Sequence, residues 1–296
     1  MLFMVYGLLG LAIFLACKLE WSKIEIGVID ELCFRMVYPL LFLIGVPLID
    51  VSAIFPMVQT ALALQCILVA LWLIGYVFAT VRGATGAQRL VTSQMLSYSR
   101  FAMYAGPVLM TIFGPQVLIL VALMAVIPFI LTKKSGAASG DVFHTFSVSS
   151  SYAAPAVIGL LLGVLVALLP QGELELQFLW SVFQLLSSSL VFLILLRSAI
   201  EASVVRLSWH GLVYILGKAL LALVICAGLI QIGFRDEAII MIGLALIVPS
   251  WFLLETDGDD IAVVEKAGIT VAQSQFWFFL MLISAVPVFL VLSAYY

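Results

Sequence analysis

Long apolar runs dominate this sequence and fix what the chain can fold into. Ten stretches read as membrane-spanning helices: roughly 2–17, 31–49, 56–79, 93–113, 115–132, 153–169, 176–198, 209–231, 237–254 and 269–294. A spanning helix needs about 20 mostly apolar residues. Composition agrees: 65% of the 296 residues are hydrophobic and 10% are charged. A soluble domain carries about 25% charged residues. Thirteen basic and sixteen acidic side chains cannot coat a water-soluble fold of this size. The expected fold is therefore all-α and integral to a lipid bilayer, with lipid as the first partner.

Lysine and arginine set the expected orientation. Lys18, Lys23, Arg82, Arg89, Lys133, Lys134, Arg197, Arg206 and Lys266 fall in or beside the odd-numbered connections, and Arg235 alone falls in an even one. Positive loops stay cytoplasmic. The sequence thus predicts a multi-pass protein of the cell (inner or plasma) membrane with both termini extracytoplasmic. The N-terminal MLFMVYGLLGLAIFLACK has no basic leader and no clear cleavage site, so it reads as a first span.

A Gly/Ser-rich stretch, residues 133–152, lies near the midpoint with five spans on either side. It divides the chain into a first five-helix repeat (1–132), a cytoplasmic linker (133–152) and a second five-helix repeat (153–296). An odd number of spans per half forces the halves into opposite orientations, the inverted-repeat plan of many secondary transporters. Such carriers hold cargo near the midplane, where helices are broken. Proline removes a backbone donor and disrupts a helix. Spans four and nine hold matched places in the two halves, and each carries proline beside a small residue: Gly106–Pro107 and Pro249–Ser250.

The residues resemble the auxin efflux carrier family, of the bile-acid, arsenite and riboflavin type transporter superfamily. The resemblance is carried by FRMVYPLLFLIGVPL in span two, SYSRFAMYAGPVLMTIFG (97–114), APAVIGLLLGVLVALLP (154–170), LIVPSWFLLETDGDD (246–260) and the final SQFWFFLMLISAVPVF. It implies ten spans in two inverted repeats, with broken fourth and ninth helices that cross at the centre. It also implies transport of organic anions such as carboxylates or auxin-like acids, and it points to a homodimer. The chain departs from the family pattern at Arg100, where an Asn is expected, at Ala105, and at Trp251 and Phe252.

Charges at membrane depth cost about 2.5–3.5 kcal/mol on insertion scales and are usually paired or functional. Three stand out. Arg100 lies two turns before Pro107, with Ser97, Ser99 and Tyr104 nearby. Its guanidinium suits a carboxylate, or it snorkels to the cytoplasmic edge. Lys218, ten residues into span eight, reads as a cargo counter-charge, a proton-titrating group or half of a structural pair. Arg35, one turn into span two, snorkels easily.

The expected substrate site is therefore Ser97, Ser99, Arg100, Tyr104, Gly106, Pro107, Lys218, Pro249 and Ser250. Glu255, Asp257, Asp259 and Asp260 read either as a solvated loop or as a cation or gating cluster. His144 and His210 have no partner at metal spacing. Four scattered cysteines read as packing residues. No phosphate-binding Gly-rich Lys motif suggests ATP use, and no basic stripe suggests nucleic acid. The leading expectation is a secondary carrier, without a resident cofactor, coupled to H+ or Na+. A solute-binding sensor or regulatory subunit is the alternative. An intramembrane aspartyl enzyme would need a second carboxylate at membrane depth, which the sequence does not offer.

Overall fold

A computed structural model describes residues 26–97, 101, 105–124, 145–170, 172–204, 209–248 and 277–278. The described residues are helical, with no strand among them. Span one, most of span ten and the 249–276 segment lie outside the described residues.

Helix α1 (Ile26–Glu31) runs through a π-helical turn (Leu32–Val37) into α2 (Tyr38–Gly45) and a short 3-10 turn (Val46–Leu48). The π turn sits just ahead of Pro39, whose missing N–H and bulky ring disturb the ladder on its N-terminal side. Asp50 caps α3 (Val51–Val81): its carboxylate accepts from the Ser52 backbone N–H at 3.0 Å and from the Ser52 hydroxyl at 2.6 Å. Those bonds hold the Asp50 carboxyl below the ordinary aspartate range. Next come α4 (Gly86–Ser97), α5 (Ala105–Phe113) and α6 (117–124). The second half provides α7 (Thr145–Ala167), α8 (Glu173–Val204), α9 (Trp209–Gln231) and α10 (Asp236–Ile247).

Among the described residues, three helices are long and apolar enough to cross a bilayer: α3, α8 over Glu173–Arg197, and α9. At 31 residues α3 is about 46 Å long, against a hydrocarbon core of about 30 Å. It must tilt or protrude. Their outer faces are apolar. Leu73 and Val77 on α3, Phe178 and Leu185 on α8, and Leu220 and Leu223 on α9 are all exposed. In water such a surface would drive aggregation; in lipid it is the ordinary exterior. The chain has the make-up of a membrane-embedded helical protein.

Element boundaries differ from the sequence expectation in two places. Helix α7 begins at Thr145, inside the stretch read as linker, because 145–154 contains no glycine or proline to stop it. Span four starts seven residues earlier than expected, at Gly86, and is not one rod: Phe101 lies in a turn between α4 and α5.

Helix α2 packs on α7 and α8, and α3, α4, α9 and α10 pack among themselves. Helix α5 touches both α8 and α10. The α2–α7 seam is close because Gly159 and Gly163, four residues apart, face the backbone of Pro39 and Phe42. Small residues at that spacing let membrane helices approach to backbone contact. The buried core joins Leu41 and Phe42 of α2, Leu109 of α5, Leu118 of α6, Phe183 of α8 and Met241 of α10.

Candidate functional site

The site is built on two hairpins of the same design. Helix α3 turns into α4 at Gly83 (φ 70°), and α9 turns into α10 at Gly233 (φ 79°). In the first turn, Gly83 N–H donates to the Thr80 carbonyl and Ala84 N–H to the Ala79 carbonyl, both at 3.0 Å. In the second, Gly233 N–H donates to Ile230 at 3.0 Å and Phe234 N–H to Leu229 at 3.1 Å. This is the glycine C-cap, in which a residue at positive φ lets two orphan carbonyls be satisfied. The two glycines are 150 residues apart (233 less 83).

Helix α10 stops where the sequence places its proline, and the turn at Phe101 interrupts span four ahead of Pro107. Val248 leaves the helix at φ −52° and ψ 134°. Proline at 249 drives its predecessor out of the helical region. Pro107 lies within α5, six residues after the turn at Phe101. Gly106 N–H donates to the Phe101 carbonyl at 2.7 Å. Gly106 and Pro107 are both buried.

A helix that stops inside a membrane leaves C-terminal carbonyls without donors, and no water in lipid supplies them. Here α9 supplies one at the end of α10. The buried Lys218 ammonium donates to the Val248 carbonyl at 2.6 Å, at the end of α10. The Tyr214 hydroxyl donates to the Met95 carbonyl of α4 at 2.6 Å. Tyr214 and Lys218 are one turn apart, and the ammonium lies 5.9 Å from the Tyr214 ring centroid. Close by, the Gln94 side-chain oxygen is buried and accepts no hydrogen bond among the described residues. Ser97, also buried, turns its hydroxyl back to the Ser93 carbonyl at 2.8 Å.

Of the expected site residues, the structure places Ser97, Gly106, Pro107 and Lys218 in the buried region of these helices. Ser99, Arg100, Tyr104, Pro249 and Ser250 lie outside the described residues, as do His144 and the Glu255–Asp260 cluster. Arg35 is half-exposed and pairs with Glu31 at 3.3 Å, one turn earlier on the same helix, the ordinary surface arrangement. His210 is exposed. Cys33 is buried, Cys66 exposed and Cys226 half-buried. No group of metal-ligating side chains forms among the described residues.

Sequence reading missed Tyr214 and Arg197. The spacing of Tyr214 from Lys218 was the available signal, since residues four apart share a helix face. Arg197 reads as a helix-end residue in the sequence, but it is buried at 4% exposure, and α8 continues past it to Val204. Continuation of α8 to Val204 explains the difference.

No family model and no curated protein matches the chain.

Proposed function

We propose that this chain is a secondary carrier that moves a small organic anion across the cell membrane, with the cargo held where spans four and nine are interrupted. The observation that carries the proposal is the matched pair of hairpins, with α10 ending at Val248 and the buried Lys218 bonded to that end. Broken helices at membrane depth expose backbone dipoles, and carriers use such places to hold solutes. Contact between α5 and α10 supports the crossing of the two spans.

The matched hairpins support two inverted five-helix repeats and ten spans, the plan implied by the resemblance to the auxin efflux carrier family. They belong to halves that the charge pattern of the connections orients oppositely. The charged side chains buried among the described residues, Arg197 and Lys218, are both basic, which favours an anionic cargo. Arg100 adds a bidentate carboxylate ligand on this reading. Energy comes from an H+ or Na+ gradient.

Purified protein in liposomes, challenged with a panel of mono- and dicarboxylates, tests the proposal. Uptake of at least one acid is expected. Arg100→Ala should cut that uptake about tenfold or more, the scale of one lost charge-assisted hydrogen bond, with helical circular dichroism unchanged. Unaltered kinetics in the variant would remove Arg100 from the site. Binding without flux would identify a solute sensor instead.

A further inference from the structure

We propose that the groove between the α2–α3 connection and the start of α8 binds a small organic cation, an ammonium group carried on an apolar body. The inference goes beyond the carrier reading. It concerns the opposite charge, and it draws on none of the interrupted helices.

The groove holds about 620 Å³. Small-molecule sites run to about 300–1,000 Å³. One wall is residues 47–50, and the other is Leu176, Gln177, Trp180 and Ser181 of α8. Among the described residues, the one charged group lining it is Asp50. Both Asp50 carboxylate oxygens are tied to Ser52, which aims the group and keeps it ionised. A carboxylate oxygen accepts more than one bond, so each has room for an ammonium N–H. The Trp180 ring is exposed to the groove and fixed by its neighbours. It stacks on the buried Phe183, with 6.3 Å between ring centroids. Two glycines leave space for this pair. A Cβ on Gly114 would lie 3.2 Å from the Trp180 ring, and one on Gly45 would lie 2.9 Å from the Phe183 ring. A fixed indole and a fixed carboxylate in one groove can take up an ammonium without first being ordered.

The sequence sets the sign of the ligand. No lysine, arginine or histidine lies between Arg35 and Arg82, and none lies between His144 and Arg197. Both walls of the groove come from these two stretches. The acidic groups in them are Asp50, Glu173 and Glu175, the two glutamates in the first turn of α8. A cleft lined by one sign of charge over low-dielectric walls concentrates the opposite ion. An anion would find no basic partner on either wall. The same reasoning favours a free amine over the ammonium head of a phospholipid, whose phosphate would also lack a partner. The apolar body of the ligand meets Pro47, Leu48 and Leu176.

Ligand-observed NMR titration of the full chain in dodecyl maltoside tests this, with phenethylammonium and its neutral counterpart phenethyl alcohol as probes. Phenethylammonium should bind about tenfold or more tightly than the alcohol, the scale of one charge-assisted hydrogen bond. Asp50→Asn should remove that difference. Asparagine caps a helix as well as aspartate does, so α3 stays formed and the loss reports the charge. Trp180→Leu should weaken ammonium binding about two- to fivefold, the scale of an exposed cation–π contact. Equal affinity for the two probes would overturn the site, and so would an Asp50→Asn protein that still prefers the ammonium. Should Trp180→Leu fail to fold, Asp50→Asn decides the matter alone. Phosphatidylethanolamine is then added to the micelles. Undiminished probe binding is expected; displacement would give the groove to a lipid headgroup and overturn the free-amine assignment. None of these readings involves acid uptake, so a failed groove leaves the carrier proposal standing.

Discussion

The hairpins α3–α4 and α9–α10 turn on Gly83 and Gly233 with the same pair of backbone bonds, but almost nothing else in their connectors is shared. The first opens its second helix with a reciprocal cap: the Thr85 N–H donates to the Gln88 side chain at 3.0 Å, and the Gln88 N–H to the Thr85 hydroxyl at 3.4 Å. That is a capping box. The second has Arg235 at the same place, makes no side-chain cap, and puts Asp236 and Glu237 in the first turn. Their carboxylates answer the partial positive charge of the helix N-terminus. One backbone geometry is thus reached through two chemistries. Only the glycine is common, because only the positive φ is demanded by the backbone itself. Two turns can therefore share a backbone geometry while their sequences agree at a single residue.

The interhelix seams give the sharpest way to break this comparison. A Cβ on Gly75 of α3 would meet the Ser93 Cα at 2.8 Å. At the position matching Ser93, α10 has Gly243, where a Cβ would meet the Cys226 sulfur at 3.0 Å. Backbone cannot yield as a side chain can. Gly75→Ala should therefore destabilise by about 1–3 kcal/mol. Gly243→Ala should cost less, and Cys226→Ala in the same chain should recover most of that loss. Denaturant titration of detergent-solubilised protein measures both. Equal losses, with no recovery, would mean that the two seams are not built differently.

A smaller effect sharpens the shared part. Gly83→Ala and Gly233→Ala should each cost about 1 kcal/mol, and the two losses should agree. Both residues stand in open space, with no atom within 4 Å of an added Cβ, so backbone conformation alone sets the penalty. A large loss at one turn and none at the other would show that only one cap matters.

Much of the architecture was legible in the sequence, where hydropathy and punctuation suffice. The expected span 209–231 coincides with α9. The exit from α10 was signalled by Pro249, because the restriction on the preceding residue is local. Span four was read less well. Residues 86–92, GAQRLVT, are too polar for a hydropathy window, yet they form the first turns of α4, where the capping box and contact with α3 hold them. Pro107 pointed to a break, and the described turn at Phe101 lies six residues ahead of it. The bonds from Tyr214 to Met95 and from Lys218 to Val248 were not legible, because no local rule links residues so distant along the chain. Lys218 could be singled out as a charge at membrane depth; its carbonyl partner could not.

The account rests on two like hairpins inserted in opposite directions, which places their glycine turns on opposite faces of the membrane. Gly86 and Ile232, both exposed, flank those turns. Single cysteines at these positions, in a background with the native cysteines replaced, can be probed in intact cells with an impermeant maleimide. Gly86→Cys should stay protected until the cells are opened, and Ile232→Cys should label from outside. Labelling of both from the same side would contradict the inverted arrangement and the carrier proposal built on it.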